Sequence, residues 1–565
     1  MTPGKNGERV CEQPPVNPQT EPGLTGRARV HRAIRCEAVD RTPWVPFVGC
    51  HGGSLLGVQA NEYLRSEDLI VEGALAAIER YQPDGIPVTF DLQLEAEVLG
   101  CELAWSPENP PAVVSHPLAD GVPLSELTTD ALKKGRPQMV LAAARRLRQR
   151  CPDIALYGLV TGPFTLALHL QGTDIFMMMF DRPIEIQKLL TFCRAVCGAM
   201  AAAYIEAGCD VIAVVDPMTS QIGPDHFREF VQPHITPVFE TIRRKGALSS
   251  FFVCGHAEQN IQAMSDCGCD NISIDENIGL DTVRGVCLEK HISFGGNLQL
   301  TTVLLLGTPQ EAQQNALACL DIGGETGFIL SPGCDLPYAT PPENLAAIAP
   351  LVADPYLRDV VRAMTRTQTV ANRLDLHEYG QHRKVIVDII TLDSEACAPC
   401  QYMVDAVRRV APHFEGIVEW REHKIKYRES LVFMTSLMVR NVPTICIDGQ
   451  ITFVSRIPPK DELIAAIQKR INEKFRLKLQ RQRGALYLLG EETELMQKAR
   501  QNIDQALMEM GSDIPVHYVE DEREIATFGI LPEQTPAIVL AKYQLKATRS
   551  QPEVNIVKEW IRDLS

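Results

Sequence analysis

Short apolar runs alternate with longer amphipathic stretches over the first 360 residues of the chain. Eight runs stand out: Trp44–Val48, Gly85–Phe90, Ala155–Val160, Val211–Val215, Ser249–Val253, Asn271–Ile274, Ile292–Gly295 and Thr326–Leu330. Each is followed by a stretch able to form a helix, which is the pattern of βα units around a parallel sheet. Eight such units predict an α/β fold, a (β/α)8 TIM barrel over residues 27–360, with doubly wound packing as the alternative. The pattern lapses in a polar linker, 361–382. A strand-like KVIVDIITL, the segment Asp393-Ser394-Glu395-Ala396-Cys397-Ala398-Pro399-Cys400 and a helical QYMVDAVRRVA then open a new domain, 383–470. A basic linker, 471–483, leads to a third unit, 484–565, which repeats the second unit's order without its cysteines. Residues 1–26 are polar and Pro-rich and read as a disordered N-terminal segment.

Composition narrows the function classes. At 565 residues, 45% apolar and 22% charged, the chain has material for several globular domains. A net charge of −16 supplies no basic field to gather phosphate backbones, so no nucleic-acid partner is expected. The stretch Lys469–Arg483 holds seven basic residues against one Glu, but without aromatic stacking platforms it reads as a solvated helical linker. No uncharged apolar run approaches the roughly 20 residues that span a bilayer, so no membrane partner is expected. Seventeen cysteines at irregular spacing in so long a chain read as reduced thiols, and a cytoplasmic location follows as an expectation.

In a barrel the chemistry sits where strands end. The residues just after the runs include Cys50-His51-Gly52-Gly53, Asp91, Asp216-Pro217, Cys254-Gly255-His256, Asp275-Glu276 and Ser331-Pro332-Gly333-Cys334. Asp and Gly at such places also serve as turn and N-cap residues. That reading explains less well two cysteines, Cys254 and Cys334, each beside a glycine. Loops from separate strands converge on one mouth, so the two can share a metal site. Catalytic zinc takes three protein ligands and leaves one position open, and a thiol bound there loses its proton. From spacing alone, two inert semi-buried thiols are the favoured reading. In the second domain, a CxxC between strand and helix is a redox signal, because the helix N-terminus lowers the pKa of the first thiol, Cys397, and makes it the nucleophile.

The stretches GRARVHRAIRCEAVDRTPWVPF, PDGIPVTFDLQLEAEVLGCEL, LVTGPFTLALHLQG, VVDPMTSQIGPDHFREFVQPHITPV, VCGHAEQNIQAMSDCGCDNISIDE and GFILSPGCDLPYATPPENLAAI resemble the uroporphyrinogen decarboxylase superfamily across the barrel. Glu95–Cys101, Cys254-Gly255 and Ser331–Cys334 resemble its methylcobamide:coenzyme M methyltransferase branch. That resemblance implies methyl transfer from a methylcobamide, free or carried by a corrinoid protein, to a small thiol. It implies zinc held by Cys254, Cys334 and a histidine two residues before the first cysteine, where this chain has Phe252. His256 ranks first to complete the site, ahead of His51, Glu97 and Asp216, while Asp91 and Asp216 are carried as catalytic candidates. Uroporphyrinogen decarboxylation is the runner-up. Against it, Gly49–Leu64 has no arginine where decarboxylases grip substrate carboxylates, and Cys334 stands where they carry a late histidine. A further reading is a corrinoid-protein-binding scaffold with only the redox domain active. The second domain resembles thioredoxin-like proteins, which implies Cys397 as nucleophile, Cys400 as resolving thiol and Pro443 as the flanking cis-proline. The third resembles them too, but Gly490-Glu491-Glu492-Thr493 replaces the cysteines and implies a redox-silent copy.

Overall fold

The computed structural model describes residues 23–363, 379, 384–395, 397–439, 441–482, 484–526, 528–540 and 544–564. The expected disordered segment, apart from residues 23–26, and most of the expected linker 361–382 lie outside them. Two compact units emerge, one from residues up to 382 with 386–460, the other from 383–385 with 461–565.

The first unit is built on seven parallel strands in sequential order: β1 (Gly85–Pro87), β2 (Ala155–Thr161), β3 (Val211–Val215), β4 (Leu248–Val253), β5 (Asn271–Ile274), β6 (Ser293–Leu298) and β7 (Phe328–Pro332). The first apolar run, Trp44–Val48, is reduced to a bridge. Trp44 pairs in parallel with Leu330, Val45 N donates to Leu330 O at 3.0 Å, and Asp84 N donates to Trp44 O at 2.8 Å. This run therefore bonds to both edges of the seven-stranded sheet. Pro43 and Pro46 remove two of its N–H donors, which explains why it makes so short a ladder. The result is a TIM-barrel-like α/β fold.

Two cores follow from the layering. Val45, Phe47, Phe90, Tyr157, Val215 and Phe252 fill the interior of the sheet, with Cys254 and Cys334 packed against them. The outward face of the strands packs against helices, among them Pro183–Glu206, which buries Leu189, Cys193, Val196 and Met200. That helix is long and apolar enough to cross a bilayer by length and composition, a property shared by core helices buried inside a protein.

At the N-terminal ends of the strands, Arg–Asp ion pairs lock the layers. Asp84 accepts from Trp44 N at 2.8 Å, from Arg41 Nη1 at 2.6 Å, and from the Nη1 of Arg29. Asp210 accepts from Leu156 N at 2.8 Å and pairs with Arg27 and Arg148, each at 2.7 Å.

After the barrel, the first unit continues into a four-stranded sheet of order β9-β8-β10-β11, from β8 (Val385–Thr391), β9 (Val418–Lys424), β10 (Thr444–Ile447) and β11 (Gln450–Val454). β10 is antiparallel to both β8 and β11. Helix Ala398–Val410 follows β8, and Cys397 is its N-cap.

The second unit contains β12 (Leu486–Leu489), β13 (Val516–Val519), β14 (Ala537–Leu540) and β15 (Gln544–Thr548), in the order β13-β12-β14-β15. Its strand order matches that of the preceding sheet: second, first, third, fourth. Helices Glu494–Met510 and Val554–Leu564 bury Ala499, Ile503, Val557 and Ile561 with Leu486 and Ile538. Thr493 N-caps the first of these helices, accepting from Met496 N at 3.2 Å, so a hydroxyl stands where the earlier domain has a thiol. Helix Lys460–Gln482 runs unbroken across residues 470 and 471, where the sequence placed the boundary between domain and linker.

Asp84→Ala removes the acceptor of the Trp44 amide and a buried carboxylate partner of Arg29 and Arg41 inside the closing seam. Removing one partner of a buried ion pair costs about 3–5 kcal/mol. Urea denaturation of this variant is expected to show a midpoint shift of that size, against little change for exposed Asp130→Ala.

Candidate active site

The C-terminal strand ends surround a cavity of about 160 Å3. Phe90 lines its floor, backed by the barrel interior: Phe90 lies edge-on to Phe252 at 5.8 Å, and Phe252 and Phe47 have ring centroids 4.9 Å apart. Phe252 and Cys254 are two residues apart on β4 and its exit, so they share a face. Above this floor Cys254 Sγ and Cys334 Sγ are 2.9 Å apart. The strand-end cysteines, 80 positions apart in sequence, are thus brought into direct contact.

Two glycines make the approach possible. Gly255 has φ +86°, a left-handed conformation that turns the chain immediately after Cys254 and aims its N–H at Asp275 Oδ2, 2.6 Å away. At Gly333, a Cβ would come within 2.4 Å of Glu276 Oε2 and 2.8 Å of Asp275 Cα. Only glycine lets the chain before Cys334 lie against those carboxyls.

Burial sets the protonation of this cluster. Asp275, which also accepts from Asn277, is pushed up to about 6 by desolvation. Glu276 is pushed up to about 8, first by desolvation and then by the Asp275 charge; its Oε1 accepts from Leu300 N at 3.1 Å, while its buried Oε2 has no partner among the described residues. The Cys254 thiol is pushed well up by its contact with Cys334 and by burial.

The roof of the cavity comes from the domain that follows the barrel. Cys397, Ala398, Pro399, Asp393, Lys426, Val442 and Pro443 line it together with Cys254, Cys334 and His169. Specific bonds seat this domain. Gln221 reaches Ser455 O at 3.0 Å and accepts from Ile457 N at 3.0 Å, Gln401 Nε2 donates to Val113 O at 2.6 Å, and buried Tyr402 contacts His169 Nδ1 at 3.2 Å. The Val442–Pro443 bond is cis, as expected. Cys400 is buried and its N donates to Cys397 Sγ at 3.4 Å, while Cys397 is partly open to the cavity. The expected lowering of the Cys397 pKa is not found. Contact with Cys400 and burial push this thiol up and outweigh the backbone N–H at the helix start.

Several sequence candidates fall elsewhere. Asp216 is buried, but its carboxylate accepts from Phe164 N at 3.1 Å, from Thr165 N at 2.7 Å and from Thr165 Oγ1 at 2.6 Å, capping helix Pro163–Gln171. Asp91 is paired with Arg136, which also holds Glu97 Oε2 at 2.6 Å. His51 is fully committed: Nδ1 lies 3.1 Å from Tyr338 O and Nε2 lies 2.6 Å from Tyr81 Oη, and burial drops its pKa to about 4. His256 does not line the cavity that Cys254 and Cys334 share. Among the described residues, no group of three His, Cys, Asp or Glu side chains is disposed to hold a metal ion. The sequence missed His169, whose cavity-lining ring has a buried and unpartnered Nε2, and Arg136, which sits on a helix far from the residues it binds.

Glu276 provides a pH test. Its folded pKa is raised above the unfolded value of about 4.3, so its contribution to stability is full below that pH and is lost as pH rises through about 8. Glu276→Gln, neutral throughout, is expected to remove that part of the decline, seen as a flatter plot of urea midpoint against pH between about 4 and 8.

Comparison with known proteins covers the barrel. The uroporphyrinogen decarboxylase (URO-D) family model matches residues 25–354. The methylcobamide:CoM methyltransferase MtbA of Methanosarcina acetivorans is 28% identical over 328 residues, 57% of this chain and 95% of that protein. A uroporphyrinogen decarboxylase from an Anaeromyxobacter species is 26% identical over 348 residues, 57% of this chain and 97% of its own. The solved structure of a methyltransferase from Methanosarcina mazei superposes with a TM-score of 0.54 at 26% identity, covering 60% of this chain and all of that one. The curled parallel sheet with its reactive mouth and the extent of the family match give one conclusion: the chain belongs to the uroporphyrinogen decarboxylase family.

Proposed function

We propose that the barrel is a corrinoid methyltransferase, moving a methyl group from a methylated corrinoid to a small thiol, and that the domain carrying Cys397 and Cys400 is a thioredoxin-like redox module. The observation that carries this reading is the thiol pair Cys254 and Cys334 at the mouth of a family barrel whose methyltransferase relatives act on a methylcobamide. The cavity suits a small thiol. It is mostly apolar, and its one cation among the described lining residues, Lys426, is spent on Asp393 at 2.6 Å. A polycarboxylate would enter without cationic partners and beside Asp275, Asp335 and Asp393, which disfavours decarboxylation of a multiply charged tetrapyrrole.

Within the cavity, Asp275 is the chain's own proton acceptor for an incoming thiol. Its carboxyl, pushed up to about 6, lies nearer to a thiol's range than an ordinary carboxylate does. The aromatic floor and the seated domain exclude water from the sulfur, which removes the shell that would otherwise blunt its nucleophilicity.

Zinc does not fit the residues present. Cys254 and Cys334 offer two of the three ligands that catalytic zinc takes, and Phe252, His51, His256, Asp216 and Glu97 supply no third. Two sulfurs on one tetrahedral zinc, each at about 2.3 Å from it, lie roughly 3.8 Å apart, against the 2.9 Å observed here. The support for the redox module lies in the CxxC at the start of helix Ala398–Val410, the cis-Pro443 facing the same cavity, and the strand order shared with the second unit.

Purified protein is expected to demethylate methylcobalamin in the presence of a small thiol, followed by the absorbance change of the corrin, and to form no coproporphyrinogen. Cys254→Ser and Cys334→Ser should each lower the rate at least tenfold. Decarboxylation of uroporphyrinogen at an enzymatic rate would replace this reading. For the metal, dialysis against a chelator is expected to strip zinc from the wild type, and Phe252→His, which recreates a His-x-Cys spacing, to increase zinc retention. Stoichiometric zinc kept by the wild type would show that a third ligand is recruited.

A further inference from the structure

Three thiols from two domains line one cavity, with a fourth buried directly behind them, and neither methyl transfer nor metal binding accounts for that arrangement. Cys254 and Cys334 touch at 2.9 Å, and Cys397, at the head of its helix with Cys400 behind it, lines the same cavity. Twelve other described cysteines are free thiols, and none of them lines this space. The barrel pair lacks a third metal ligand, yet the two sulfurs need to close by less than an ångström to reach the roughly 2.05 Å of a disulfide.

We propose that this cavity is a thiol–disulfide exchange site, in which the Cys397/Cys400 dithiol reduces a disulfide formed between Cys254 and Cys334. The barrel disulfide arises by two-electron oxidation of the pair, with a hydroperoxide or a small disulfide as acceptor. Cys397 gives up its proton and attacks Cys254 Sγ. The Cys254–Cys334 bond breaks, Cys334 leaves with the electron pair and takes up a proton, and a Cys397–Cys254 mixed disulfide remains. Cys400 then loses its proton and attacks Cys397 Sγ, and Cys254 departs as a thiolate and is protonated. Two electrons and two protons have passed from the CxxC to the barrel, and an external dithiol discharges the new Cys397–Cys400 disulfide.

The placement of the four sulfurs gives the step its direction. Cys397 is open to the cavity whereas Cys400 is fully buried, so the first attack falls to Cys397 and the resolving step to Cys400. Cys254 and Cys397 share an electrostatic neighbourhood: the charge of Cys397 is among those acting on Cys254, and that of Asp275 acts on both. The exchange does not depend on which methyl acceptor the barrel takes, so its failure and that of the methyltransferase reading are separately visible.

The test uses the full chain treated with one equivalent of hydrogen peroxide, quenched in acid, alkylated and digested without reduction for peptide mass mapping. In the wild type the disulfide is expected at Cys397–Cys400. In Cys397→Ser it is expected to stay at Cys254–Cys334, and in Cys400→Ser to be trapped as Cys397–Cys254. Should burial make Cys400→Ser fold poorly, the Cys334→Ser variant of the intact CxxC offers a second reading, because its oxidised Cys254 can be discharged only through Cys397. A Cys254–Cys334 disulfide that persists equally in the wild type, Cys397→Ser and Cys400→Ser, with no Cys397–Cys254 linkage in any variant, overturns the proposal.

Discussion

Desolvation at the mouth of the barrel governs the rest of the site. Phe90, backed by Phe252 and Phe47, closes the cavity from below, and the domain bearing Cys397 closes it from above. In the space between, a charge loses its hydration, so carboxyls and thiols hold their protons longer than they would in water. Asp275 and Glu276 shift in that direction chiefly through burial, and at Cys254 and Cys397 burial adds to the contact with a neighbouring cysteine. A helix N-terminus, which favours a thiolate at the surface, is too weak a field to reverse the trend at Cys397. The same enclosure makes the sulfurs the natural reactants, because a neutral thiol tolerates a dry cavity better than a carboxylate does.

The strands of the barrel were legible because each is a compact apolar run, and seven of the eight fall within a few residues of their expected places. The eighth, at Trp44, was legible as a run but not as a bare bridge, since its prolines act through missing donors and not through hydrophobicity. Cys254 and Cys334 could be paired from strand ends alone, because barrel topology forces those ends together. The aspartates were not separable in this way. Asp91, Asp216 and Asp275 occupy equivalent strand ends, but their roles depend on partners that the local sequence does not name: Arg136 for the first, the helix at Pro163 for the second, the Gly255 amide for the third. The docking of the CxxC domain over the mouth left no local trace, since Gln221, Gln401 and Tyr402 are ordinary polar and aromatic residues until the fold supplies their counterparts.

The two small sheets show how one strand order carries different side chains at the same place. Both have the same strand order and a helix after the first strand, and both have a cis X–Pro bond before the third, Val442–Pro443 in one and Thr535–Pro536 in the other. The difference is concentrated at a helix start. Cys397 caps one helix with a sulfur, whereas Thr493 caps the other with a hydroxyl, which satisfies the same backbone donors with an atom that cannot exchange. A small change of side chain at one cap therefore keeps the backbone donors satisfied while removing the thiol.

The seating of the CxxC domain by Gln221, Gln401 and Tyr402 also fixes a kinetic quantity. Groups held across one cavity meet at an effective concentration set by geometry and not by the amount of protein present. The proposed exchange between the two domains is therefore first order and unaffected by dilution, and a freely diffusing thiol must compete against a partner held in place. Severing the chain between the domains would turn the same encounter into a bimolecular one, so the fusion itself, as much as any single residue, sets how quickly the barrel's sulfurs can be reached.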